Sequence, residues 1–175
     1  MRLIDVLAKV LKSHYQTKVD ISKSILQKQK RNASSRLSQS IAVSNPNVTE
    51  TTAEVALSAE DYWKFIDKGV KGYANKKAPN DSPFQFKTKA IPVNVLTGAA
   101  GWIANKQLVS AGKDAKARNR AMGFVFSRSI PRDGIRATAF ISDVFNKKQV
   151  NELNKELAVA QKDFMIKKIK DVDND

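Results

Sequence analysis

Thr49-Glu50-Thr51-Thr52-Ala53-Glu54-Val55-Ala56-Leu57 runs directly into Ser58-Ala59-Glu60-Asp61-Tyr62-Trp63-Lys64-Phe65-Ile66-Asp67-Lys68-Gly69. The first piece alternates, with Thr49, Thr51, Ala53, Val55 and Leu57 on one side and Glu50, Thr52, Glu54 and Ala56 on the other, the period of a strand. The second piece predicts a helix. Ser58 is placed as its N-cap, with Asp61 three residues on as a capping-box acid, and Gly69 is a natural stop. Upstream, Leu37, Gln39, Ile41 and Val43 also alternate as in a strand, although Ser34–Ser40 could begin as a helical turn. Asn45-Pro46-Asn47 carries a turn signal between the two strands, so a hairpin leading into a short helix is expected.

Outward from this centre, residues 2–31 predict a long amphipathic helix. Ile4, Leu7, Leu11, His14, Lys18, Ile21 and Ile25 recur at three and four spacing. The stripe is narrow where His14 and Lys18 interrupt it, which suits packing on a neighbouring helix, within the subunit or between subunits. Downstream, residues 70–92 hold Gly72, Pro79, Pro83 and Pro92 among Lys71, Lys76, Lys77, Lys87 and Lys89. A loop this long is functional or mobile. Phe84 and Phe86 fit a short strand or an anchor for it. Asn94–Leu108 predicts a helix weakened by Gly98 and Gly101, and Lys113–Met122 a short basic one. Gly123-Phe124-Val125-Phe126 predicts a strand, Pro131-Arg132-Asp133-Gly134 a tight turn, and Ile135–Ile141 a further strand. A closing amphipathic helix is expected over 148–170, with Val150, Leu153, Leu157, Ala160, Phe164 and Ile169 as its stripe. An acidic tail follows at 171–175. The layout is α+β: a long N-terminal helix, a small antiparallel sheet with a hairpin, packed helices and a long C-terminal helix, in a single domain over 1–175.

Composition narrows the function. The 175 residues include no Cys, one His and a formal net charge of +14. Disulfides, thiolate nucleophiles and Cys-ligated metal are therefore excluded. No stretch is apolar for the ~18 residues of a membrane span, and Asp5 interrupts any apolar leader. A cytoplasmic site of synthesis and no membrane partner are expected. The charge is uneven. Residues 1–48 carry a net +7, 49–69 a net −3, 70–135 a net +9 and 136–175 a net +1. Such a field attracts a polyanion or an acidic protein surface, or else reflects solvated helix faces.

No catalytic constellation emerges. His14 on a helix stripe reads as a packing residue. Gly98-Ala99-Ala100-Gly101 is followed by Trp102 rather than the Lys and hydroxyl of a phosphate loop. The Asp171–Asp175 run lacks the central Gly and closing Glu of a calcium loop. Glu60 and Asp61 point apart on a helix, with Asp67 further on. The expectation is no enzyme, no metal and no cofactor. The basic residues remain: Lys76, Lys77, Lys87 and Lys89 in the loop, and Lys113, Lys116, Arg118 and Arg120 beyond it, are candidate contacts to DNA or an acidic partner. Tyr73, Phe84 and Phe86 among the lysines are either stacking platforms for bases or loop anchors.

Three segments together carry a resemblance. The hairpin leading into Tyr62-Trp63-Lys64-Phe65-Ile66-Asp67-Lys68-Gly69 resembles the strand, aromatic and "valine–acid–x–glycine" segment of the neck and tail-completion proteins of tailed bacteriophages, the HK97-type tail-component family. Ser129-Ile130-Pro131-Arg132-Asp133-Gly134-Ile135-Arg136-Ala137-Thr138-Ala139-Phe140-Ile141-Ser142-Asp143-Val144-Phe145 resembles the "proline–phenylalanine–leucine" segment before that family's closing helix. The order of elements also matches. Ala139 stands where the family has proline, Asp67 where glutamate is common, and 70–128 is longer than usual. The resemblance implies a virion structural protein: a homo-oligomeric ring at the head–tail junction, between portal or connector and tail proteins, around the DNA exit channel. It would be assembled in the host cytoplasm and touch packaged DNA without reading sequence. Phe140, Ile141, Val144 and Phe145 are candidate subunit-interface residues, and the basic loop has room to order only on assembly. The competing readings are a basic nucleic-acid-binding accessory protein without catalysis and, last, an enzyme such as a nuclease.

Overall fold

A computed structural model describes residues 2–29, 35–97, 103 and 114–173. Its elements are α1 (Leu3–Lys28), α2 (Arg36–Ser40), β1 (Ala42–Val43), β2 (Asn47–Val48), β3 (Ala53–Glu54), β4 (Leu57–Ser58), α3 (Trp63–Lys68), α4 (Val93–Thr97), α5 (Ala115–Asp133) and α6 (Lys147–Asp173). The fold is α+β, with long first and last helices and small antiparallel pairs of strands. The chain, expected as a single domain, divides into two compact units. One comprises Met1–Ser24, Gln39–Ala59 and Phe140–Asp175; the other comprises Ile25–Ser38 and Glu60–Ala139.

In the first unit, the hairpin differs from the sequence expectation in where it turns. β1 pairs with β4 (Ala42 opposite Ser58, Val43 opposite Leu57), and β2 with β3 (Asn47 opposite Glu54, Val48 opposite Ala53). Between the two ladders, Ser44-Asn45-Pro46 faces only Val55-Ala56, so the proline signal marks a bulge and not the turn. Ser44 bridges it: its N–H donates to the Ala56 carbonyl and its Oγ accepts from the Ala56 N–H, both at 2.8 Å. The chain reverses at Thr49–Thr52, where the Thr49 Oγ1 accepts the Thr52 N–H at 3.0 Å, a hydroxyl-stabilised turn. Ser58 lies in β4 and does not cap a helix; α3 begins at Trp63 with no side-chain cap.

α1 buries Ala8, His14, Val19 and Ser22 in this unit, while Ile21 is exposed. The buried face is thus rotated by one residue from the expected stripe after His14. It is tolerable because the Ser22 Oγ donates to the Phe140 carbonyl at 2.8 Å, satisfying a buried hydroxyl. Ile41, Phe140, Val144 and Leu153 complete the buried apolar set. Asn146 starts α6: its Oδ1 accepts the N–H groups of Lys148 (3.0 Å) and Gln149 (3.3 Å), the geometry of an N-cap.

In the second unit, Gly123–Phe126 forms no strand. It is the middle of α5, one helix spanning the expected basic helix, strand and start of the turn. A Cβ on Gly123 would sit 2.3 Å from Thr97 Cγ2, so the glycine lets α4 lie close. The helix stops where Gly134, at φ 85°, turns its N–H back to the Ile130 carbonyl. The 135–141 stretch makes one antiparallel bridge, Ile135 to Val70, and no strand. The expected 94–108 helix is α4 as far as Thr97, with Ile103 helical and buried; the rest lies outside the described residues.

The 70–92 segment is not a free loop. Tyr73, Ala74 and Lys77 donate backbone N–H bonds to the carbonyls of Pro131, Arg132 and Asp133 at 2.8–3.0 Å. Gly72 is packed against that turn so closely that a Cβ would lie 2.3 Å from the Arg132 carbonyl. The Ser82 Oγ donates to the Gly69 carbonyl at 2.8 Å, and Ile91 bonds Ser127. The segment is stitched to α5 near both of its ends.

Candidate nucleic-acid and subunit surfaces

α5 carries Lys116, Arg118, Arg120, Arg128 and Arg132, with no carboxylate between Ala115 and Arg132. At 1.5 Å per residue these cations extend over roughly 24 Å. Lys116, Arg120 and Phe124, four residues apart, share one face. With Val93, Asn94, Thr97 and Asn119 they line a half-open cavity of about 350 Å³. The Arg120 guanidinium stands 5.9 Å from the Phe124 ring centroid, a cation–π distance, and the ring is 52% exposed. Asn119 donates Nδ2–H to the Thr97 carbonyl at 3.4 Å, while its Oδ1 is buried without a partner. Arg118, two residues from Lys116 and Arg120, faces away from this groove. Lys113 lies outside the described residues.

Lys76 and Lys77 belong to a second basic cluster, at the end of α5. The Arg132 Nε donates to Asp133 Oδ1 at 2.8 Å, and the Lys77 Nζ lies 3.7 Å from Oδ2. The Arg132 hydrogen bond holds the Asp133 carboxyl below its ordinary range against a desolvation cost, helped by the charges of Arg132, Lys77 and Lys76. Lys87 and Lys89 are exposed, just before the Ile91–Ser127 bond. Phe84 is half-buried, edge-on to Phe65 at 4.6 Å, so it anchors the segment; Tyr73 is exposed.

The expected interface residues divide. Phe140 is fully buried and Val144 nearly so, inside the first unit. Their side chains are spent on the packing of their own unit. Ile141 and Phe145 are half-buried, and Phe145 stacks on Tyr15 at 5.9 Å.

α6 exposes apolar surface, of which the expected stripe included Ile169 but not Met165, Ile166 or Val172. Its 27 residues extend about 40 Å. It meets α1 through His14 Nδ1 and Glu156 Oε2, 3.0 Å apart, and Lys18 Nζ and Glu152 Oε2, 3.3 Å apart. His14 is buried there, as a packing residue would be. An open cleft of about 500 Å³ remains beside this contact, lined by Val10, Ser13, Lys155, Glu156, Val159, Ala160 and Asp163. After Leu153 no described side chain of α6 is buried, and Met165, Ile166, Ile169 and Val172 are 41–74% exposed. The signal was in the sequence, as apolar residues on a second face of the same helix.

Among the described residues there is no group of three or more His, Asp or Glu side chains placed to hold a metal ion. Glu60 pairs with Arg36 at 3.5 Å, whereas Asp67 is buried. No described helix is long and apolar enough to cross a membrane. Comparison with known protein families, curated proteins and solved structures finds no match.

Proposed function

We propose that this chain is a structural protein of a tailed-bacteriophage virion, one subunit of an oligomeric ring at the head–tail junction, around the channel through which DNA leaves. The observation that carries the proposal is α6, whose second half leaves four large apolar side chains uncovered. Uncovered apolar faces of this kind mark contacts with other proteins. The carboxylate-free basic face of α5 suits a wall past which DNA slides, because phosphate contacts position without specifying sequence. The resemblance at Tyr62–Gly69 and Ser129–Phe145 supplies the location, with portal or connector and tail proteins as neighbours. Mass spectrometry of purified particles of the source phage tests it: the chain is expected in the particle at a fixed copy number, and its absence overturns the proposal.

One observation favours a second reading, a nucleic-acid-binding accessory protein. The groove of Lys116, Arg120 and exposed Phe124 combines charge with a ring face, as single-strand binding requires. Titration with oligonucleotides discriminates the two. Tight binding with a steep salt dependence, by a protein missing from particles, supports the accessory role.

A further inference from the structure

We infer that the uncovered second half of α6 receives the acidic hairpin of a second copy of this chain, in a head-to-tail contact. The inference rests on the ring reading above and names the surfaces that would build it. On α6, Lys162, Met165, Ile169 and Val172 follow at spacings of three, four and three, which aligns them on one face as in a helix–helix seam. Ile166 widens the face, and Lys168 lies at its edge. Residues 162–170 hold four lysines against one acid, Asp163.

The hairpin has the opposite character. Ala42–Ser58 carries Glu50 and Glu54 and no cation. Its strands pair only with each other among the described residues, leaving both outer edges open, and Leu57 is 41% exposed. A two-stranded ribbon is marginal in water unless something packs on it, and open edges invite a partner. Acid and apolar surface on the hairpin thus complement base and apolar surface on α6. DNA is a poorer occupant of the α6 face, since phosphates gain nothing from Met165, Ile169 and Val172. Because the two surfaces differ, the contact is heterologous, and repetition around a closing rotation gives a ring.

Two full-length variants test this: Glu50→Lys/Glu54→Lys, with both surfaces basic, and Lys162→Glu/Lys168→Glu, with both surfaces acidic. Circular dichroism establishes that each folds, and sedimentation velocity reads association. The wild-type chain is expected to self-associate at about 100 μM, and each variant alone to do so at least about tenfold more weakly. An equimolar mixture of the two is expected to regain association, since every contact then joins unlike charges. A wild-type chain that stays monomeric at that concentration assigns the α6 face to a different protein and overturns the inference. So do variants that associate like wild type, or a mixture that stays apart. These outcomes leave the particle test untouched: a chain present in virions but indifferent to the charge reversals loses only this interface, and a chain that associates this way but is missing from virions loses only the ring reading.

Discussion

Ile91 and Ser127 exchange two hydrogen bonds: the Ile91 N–H donates to the Ser127 carbonyl at 2.9 Å, and the Ser127 Oγ donates to the Ile91 carbonyl at 2.5 Å. The pairing has a cause four residues along α5. Pro131 has no N–H, so the Ser127 carbonyl lacks the donor that a helix normally supplies. The long basic segment fills the vacancy. Replacing Ser127 with Ala removes one of the two bonds at a buried site and leaves the Ile91 carbonyl short of a partner. The expected loss is about 1–3 kcal/mol, read from urea denaturation.

Ala139 sits at φ 52° with its N–H donated to the Asp67 carbonyl at 3.0 Å. A left-handed backbone costs a residue with a Cβ roughly 1–2 kcal/mol, so Ala139→Gly is expected to raise the melting temperature. Ala139→Pro is expected to prevent folding, because proline supplies neither the positive φ nor the N–H. A stabilised proline variant, measured by thermal denaturation, would overturn this account.

Gly72 and Gly123 make an instructive pair. A Cβ on either meets an atom at 2.3 Å, but at Gly72 that atom is the Arg132 carbonyl and at Gly123 it is a methyl of Thr97. Backbone cannot step aside, whereas a threonine can change rotamer. Gly72→Ala is expected to cost at least about 3 kcal/mol, in the range of severe overpacking. Gly123→Ala is expected to cost less, offset by a helix-propensity gain of about 1 kcal/mol. Parallel denaturation curves of the two variants check the order.

Asp133 predicts a pH dependence with a definite sign. Its folded pKa lies below the unfolded one, chiefly through the Arg132 hydrogen bond. The ionised form therefore adds stability at every pH above the unfolded value of about 3.9, and that contribution is lost as pH falls through it toward the folded value. Melting temperatures from pH 6 down to about pH 2 should drop less steeply for Asp133→Asn than for wild type. Equal slopes would show that the carboxylate does not prefer the folded state.

The fold class was readable because it rests on long periodic stretches and on Gly69 and Gly134. Finer features failed for identifiable reasons. Ile21 and Ser22 compete for the centre of the α1 stripe, and the serine wins only because the Phe140 carbonyl, distant in sequence, accepts its hydroxyl. Asn45-Pro46-Asn47 suits a bulge as well as a turn, and register decides between them. Gly123-Phe124-Val125-Phe126 has strand composition, yet the glycine is placed by close approach of α4. Lysines and prolines made 70–92 look detached, while its anchoring bonds are mostly backbone N–H groups that no side-chain pattern displays. Of the candidate surfaces, Lys116 and Arg120 were legible as a basic run; their partner Phe124 was hidden in the expected strand. Of the exposed half of α6, Ile169 was in the expected stripe, but Met165, Ile166 and Val172 were passed over because a stripe search keeps one face and discards the other.

The two units are assembled from interleaved pieces of chain, and this fixes an order of events. The second unit has all its sequence in hand once Ala139 has emerged from the ribosome. The first cannot close until Phe140 and the opening turns of α6 arrive, because His14 waits for Glu156 across 142 positions. Until then His14 and Lys18 lack the Glu156 and Glu152 they meet on α6, and contacts so remote form slowly. During synthesis that face of α1 therefore waits uncovered by α6, open to chaperones and to premature association.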